Sequence, residues 1–141
     1  LGRPEATAAC YTADGWFKTG DLATWADAGA VRIAGRRSVD LIKTGGYRVG
    51  AGEVENALLT HPSVAEVAVT AEPDPDLGER IVAWVVPVAG RSPAAQELVD
   101  HVARHLTPHK RPREVRFVTG LPRNELGKVR KRDLVEGRWP S

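Results

Sequence analysis

Lys128 follows Gly127 in the stretch LPRNELGKVRKRDL (Leu121–Leu134), close to the C-terminus. Glycine takes backbone angles that other residues avoid, so the pair could form a tight turn that holds an ammonium out toward an anionic ligand. A solvated basic tail would use the same residues. Asp21 closes WFKTGD (Trp16–Asp21), where an aromatic, a cation and a Thr-Gly turn precede an acid. A carboxylate just past such a turn can accept two hydrogen bonds from a vicinal diol, such as that of ribose. An Asx turn accounts for it equally well. Asp40 is a further carboxylate of interest, shortly before TGGYRVGAGE (Thr44–Glu53), which holds four glycines in ten residues.

Single residues rule out the familiar phosphate and metal patterns. Gly50 and Gly52 begin a dinucleotide fingerprint, but Glu55 stands where its third glycine is required. Gly127-Lys128 is not a Walker loop: Val129 replaces the magnesium-binding Ser or Thr, and the earlier glycine of that pattern is absent. His101, His105 and His109 are four apart. Yet Val102 occupies the place where a metalloprotease pair needs Glu, and Pro108 breaks the helix before His109. No metal site is expected. Cys10 has no histidine near it in sequence, so no catalytic thiol is expected either.

The elements that must carry these residues are legible from periodicity. Residues 1–29 show little of it. VRIAG (Val31–Gly35) and VDLIK (Val39–Lys43) alternate as short strands, and residues 44–52 read as a tightly turned loop or hairpin. EVENALLTHP reads as a helix with Val54, Ala57, Leu58 and His61 on one face, ended by Pro62. VAEVAVT is a strand, EPDPDLGE a loop, and RIVAWVVPV, the most apolar run, a central strand. Ser92 is placed to cap the next helix, with Pro93 in its first turn and Leu98, Val99, Val102 and Leu106 as its buried stripe. REVRFV is another strand and Lys131–Glu136 a short final helix. The expected fold class is α+β, a small sheet with helices packed on it.

Composition bounds the function. A chain of 141 residues suits one ordinary domain with its own core, with or without an appendage, and its hydrophobic and charged fractions are those of a soluble globular protein. No apolar run approaches bilayer-spanning length, so no membrane partner is expected. A start at Leu1 and the absence of methionine suggest a piece of something longer. With Cys10 the only cysteine, an internal disulfide is impossible and a cytoplasmic setting is expected. The net charge of +2 hides an asymmetry: from residue 101 onward, eleven Lys and Arg face four acids. That surplus points to an anionic partner or to a dispersed basic surface. Nucleic acid is disfavoured, because Phe117 is the only aromatic between Trp84 and Trp139 and base stacking needs more.

Five stretches in one order carry a resemblance: WFKTGD, GRRSVDLIKTGG (Gly35–Gly46), GEVENALLTHPSVAEVAV (Gly52–Val69), HKRPREVRFV (His109–Val118) and LPRNELGK (Leu121–Lys128). Together they resemble the C-terminal portion of the AMP-forming acyl-CoA synthetases, a branch of the adenylate-forming ligases, over essentially the whole chain. The pairing of IKTGGYRVGAGEVENALL with PDPDLGERIVAWVVP is most similar to the malonyl-CoA synthetase branch.

The resemblance implies a two-step reaction. A small carboxylic acid and ATP give an acyl-adenylate and pyrophosphate; coenzyme A then displaces AMP to give a thioester. It implies malonate or methylmalonate as the acid, and Mg2+ bound mainly by a large N-terminal domain. Residues 1–35 would be the tail end of that domain, poorly packed or rearranged here, and residues 36–141 a mobile lid. Asp21 matches the acid that binds the ribose hydroxyls and Arg36 the arginine that helps hold the same sugar. Asp40 matches the hinge of the lid. Lys43, Gly45 and Gly46 match the loop brought in for thioester formation, and Lys128 matches the lysine of adenylation. The neighbours Arg123, Arg130, Lys131 and Arg132 are expected to be solvated surface or long-range attraction. The family's phosphate loop and acyl pocket do not occur in this sequence, so the chain alone is not expected to complete the reaction. An alternative follows from the same resemblance, a chain serving as substrate of a lysine acyltransferase, or deacylase, at Lys128.

Overall fold

The computed structural model describes residues 11–16, 21–25, 31–36 and 40–138. Much of WFKTGD and of GRRSVD, and most of residues 1–29, lies outside the described residues. Two strands, β1 (Asp21–Trp25) and β2 (Val31–Arg36), pair antiparallel as a ribbon, with a register shift between Leu22 and Ala23. Past Asp40 the chain forms a five-stranded sheet with helices on it, the α+β architecture expected.

The sheet opens with a hairpin of β3 (Leu41–Thr44) and β4 (Tyr47–Gly50). Its two-residue turn is Gly45-Gly46, at φ +54° and +82°. A type I′ turn demands positive φ at both positions, which is why two glycines stand there. Helix α1 (Ala51–Leu59) follows at once, so the glycine-rich stretch is a hairpin running into a helix. A long hairpin comes next, β5 (Val64–Asp74) and β6 (Gly78–Pro87), then α2 (Ala95–His105), a 3-10 turn over Pro108–Lys110, β7 (Glu114–Phe117) and α3 (Lys131–Val135).

β6 is central, as its apolar run predicts: β5 pairs along it antiparallel, β7 parallel, and β3 meets it at Thr44–Gly78. Alternate residues of β6 leave by opposite faces. Ile81, Ala83 and Val85 join the larger core under α1 and α2, with Ile42, Leu58 and Leu98. Val82 and Trp84 face the other way, against Leu121, Leu134 of α3 and, less deeply, Val129. Both faces of the strand are covered, so it reads as a continuous hydrophobic run. Each fully buried Val, Leu or Ile stabilises by about 1.5–3 kcal/mol.

Two boundaries differ from expectation. β5 runs through Pro73 into the stretch read as a loop, which is tolerated because only β6 lies beside it. Ser92 does not cap α2. Pro93 is buried and the chain stays extended through Ala94 (φ −73°, ψ 145°), so the helix opens later and without a side-chain cap.

Candidate functional site

Lys128 sits on a small, tightly bonded loop. Asn124 organises it: its Oδ1 accepts the N–H groups of Leu126 (3.0 Å) and Lys128 (2.9 Å), and its own N–H donates to the Lys128 carbonyl at 2.9 Å. Gly127 N–H donates to the Asn124 carbonyl at 2.9 Å, and Gly127 takes φ +77°, the left-handed angle that favours glycine. Arg123 donates to the Gly127 carbonyl at 2.8 Å and forms an ion pair with Glu66. An Arg123–Val129 bridge closes the base, and Val129 and Leu121 root the loop in the Trp84 cluster. The Lys128 side chain is exposed and makes no ion pair among the described residues. A fixed backbone and an unspent ammonium are what presentation to an anion requires.

Asp40 immediately precedes β3. Its carbonyl accepts the N–H of Ala51 at 2.6 Å, and its Oδ1 accepts from Lys131 Nζ at 2.6 Å. Lys131 Nζ also lies 2.9 Å from Glu55 Oε1, which takes the N–H of Val69 at 2.8 Å. Lys131 is therefore not solvated surface: its side chain is 15% exposed. Burial lowers its pKa, but Glu55 and Asp40 more than offset this and raise it overall. Helical spacing could have found it. Lys131 lies three residues before Leu134, which is 2% exposed, and such pairs share a helix face. Arg123 departs from the expectation too, since it holds the loop together.

Lys128 and Asp40 line one cleft of about 770 Å³, with Glu55, Arg123, Lys131 and Asp133 in its wall. Arg130 there pairs with Asp133 at 3.0 Å and Arg138 with Glu136 at 3.3 Å. Lys43, Gly45 and Gly46 are not in this cleft but toward the far end of β3. There the Lys43 N–H donates to Glu79 Oε2 at 2.6 Å, the Gly45 N–H to the Leu77 carbonyl at 2.9 Å, and Tyr47 stacks on His109 at 4.0 Å. Asp21 and Arg36 stand opposite each other in the β1–β2 register, an acid and a base at one end of the ribbon.

Part of the C-terminal basic surplus is internal. Arg116 bonds Glu72 and Glu114 and lies 4.8 Å over the Trp84 ring; Arg80 reaches Glu72 at 2.8 Å and Glu114 at 3.1 Å. The Arg116 hydrogen bond lowers the Glu72 pKa against the opposing effect of burial. Sequence reading missed this network because its members come from three strands. Among the described residues no cluster of His, Cys, Asp and Glu could hold a metal ion.

Residues 53–128 match the AMP-binding enzyme C-terminal domain family. The chain is 48% identical to the mitochondrial malonate–CoA ligase of Bos taurus, covering 98% of this chain and 23% of that protein. Among solved structures it superposes on ATP-bound MatB from Rhodopseudomonas palustris with a TM-score of 0.88 at 38% identity, covering 96% of this chain and 27% of that one. A malonyl-CoA ligase ternary product complex with methylmalonyl-CoA and AMP is 62% identical over 87% of this chain and 27% of its own, with a TM-score of 0.59. The chain thus spans about a quarter of the length of the curated relatives it matches.

Proposed function

Since the chain belongs to the AMP-binding enzyme C-terminal domain family, we propose that it is the lid of an ATP-dependent, AMP-forming acid–CoA ligase acting on malonate or methylmalonate. Residues 36–141 form the lid, and residues 1–35 are the edge of a large N-terminal domain. The observation that carries this reading is Lys128, an exposed ammonium with no ion pair among the described residues, on a hydrogen-bonded loop in the same cleft as Asp40. The acid is inferred from what the matched relatives are named for.

Adenylation brings a carboxylate anion against the α-phosphorus of a polyanion. The Lys128 ammonium placed between them offsets that repulsion and stabilises the charge that builds on the transferring phosphoryl group. Asp21 and Arg36, opposite on one ribbon, hold the ribose. Lys43, Gly45 and Gly46, at another end of the sheet, serve the thioester step after the lid turns at Asp40. The separation of the two loops supports one site for each half-reaction, since one presentation of the lid cannot offer both. The comparisons offer a second support: the relative of lower identity superposes better than the one of higher identity, a difference of arrangement more than of sequence.

The test is Lys128→Ala in the full-length ligase that carries this chain. Adenylation should fall at least about a hundredfold, the loss of about 3 kcal/mol of transition-state stabilisation. Thioester formation from supplied acyl-adenylate should persist. Equal loss of both half-reactions would overturn the role given to Lys128.

A further inference from the structure

We propose that Lys131 is a positioning residue, a strap that fastens the hinge residue to the lid so that the lid turns about one bond. The proposal rests on Asp40 being the pivot.

Asp40 is bound to the lid through two of its groups. Its carbonyl meets the N–H of Ala51, the first residue of α1, and its carboxylate meets Lys131, the first residue of α3. The carboxylate rides on Cα and the carbonyl on the next backbone carbon. Holding both against one body restrains rotation about the bond that joins them, the ψ torsion of Asp40. A large change in ψ would have to break a bond or force the side chain into another rotamer well. Of the two soft backbone torsions at residue 40, ψ is the one these contacts restrain, which puts the turning on rotation about N–Cα.

The strap is itself anchored. Its ammonium is shared with Glu55, which is fixed to β5 through the Val69 N–H. Lys131 also belongs to the segment that carries Lys128: Arg130 N–H donates to the Pro122 carbonyl at 2.7 Å and Asp133 N–H to the Arg130 carbonyl at 3.0 Å. The hinge side chain and the Lys128 loop are therefore parts of one bonded unit. When the lid turns, the lysine moves with it as a rigid extension.

The experiment compares Lys131→Met and Lys131→Arg with the wild-type full-length ligase, carrying one fluorophore on each domain. Without the ammonium, the distribution of interdomain distances should broaden. Both half-reactions should slow together, by about tenfold, within the range expected for a lost coupling. Arginine should restore both. A Lys131→Met enzyme with wild-type melting, distances and half-reactions overturns the proposal, as does an arginine variant no better than methionine. Should Lys131→Met not fold, Asp40→Asn weakens the strap while leaving the Lys131–Glu55 pair; an unchanged distance distribution there overturns it as well. Lys128→Ala in the same series separates the two ideas: full adenylation by that variant defeats the lid reading, whereas its loss beside a silent Lys131→Met defeats only the strap.

Discussion

At the scale of single residues, the site contrasts spent with unspent charge. Lys128 and Lys131 are three positions apart on one short segment. Lys131 is consumed by Asp40 and Glu55, while Lys128 makes no ion pair among the described residues. Removing one partner of this partly buried arrangement leaves the carboxylates uncompensated and costs less than the about 3–5 kcal/mol of a fully buried pair. Removing the exposed one should cost the fold little. Asn124 sets the angle at which Lys128 is offered, through two backbone N–H groups. Asn124→Ala leaves those donors to water and should weaken the loop by about 1 kcal/mol, as loss of a capping side chain does. Amide exchange at Leu126 and Lys128 should speed up. Adenylation should fall by less than in Lys128→Ala while the thioester step is spared, which separate assays of the half-reactions would read.

At the scale of elements, Asp40 stands where the β1–β2 ribbon gives way to the sheet. Proline at 40 would fix φ near −65°, the torsion that the Ala51 and Lys131 contacts leave free. Asp40→Pro gives up the Lys131 contact but keeps the carbonyl bond to Ala51, so with φ fixed the lid should keep to one presentation, and one half-reaction survives while the other fails. Single-turnover assays of each half-reaction decide it; two normal rates would mean that residue 40 is not the pivot. The β3–β4 turn, by contrast, is built to stay put. Gly45 N–H is bonded to the Leu77 carbonyl, and Asp74 Oδ1 accepts from Asp76 and Leu77 at 3.0 and 2.9 Å, which ties one hairpin tip to the next.

At the scale of the whole molecule, pH reads two clusters. His101 lies against His61 and His105, with ring centroids 4.9 and 4.4 Å away, and its Nε2 sits 2.8 Å from Thr60 Oγ1 and 3.1 Å from the Ala57 carbonyl. Arg104 adds positive charge nearby, and Glu97 faces His61 at 3.2 Å. Burial first, then the neighbouring imidazoles, lowers the His101 pKa. The unfolded chain therefore takes up its proton sooner. This part of the stability is complete above about pH 6.5 and is lost as pH falls from there toward the folded value. Glu72, held down by Arg116, acts lower: its contribution is present above about pH 4.3 and disappears as pH drops through the depressed folded pKa. Urea midpoints measured between pH 8 and pH 3 should fall in two stages, and His101→Gln should flatten the first. A single fall near pH 4 in the wild type would refute the histidine contribution.

Local chemistry was enough to read the turn at Gly127-Lys128, the Gly45-Gly46 hairpin, the helix over Val54–Leu58 and the apolar run of β6, because each depends on neighbours within a few residues. The order of the five stretches was likewise readable and pointed to the family. The tertiary structure alone decided which cations are free. Lys131 and Asp40 are 91 positions apart, and Glu72 meets Arg116 across 44. An ion pair is set by distances in space, so a run of basic residues looks uniform in sequence until packing brings acids to some of them and leaves others, Lys128 among them, exposed without one among the described residues.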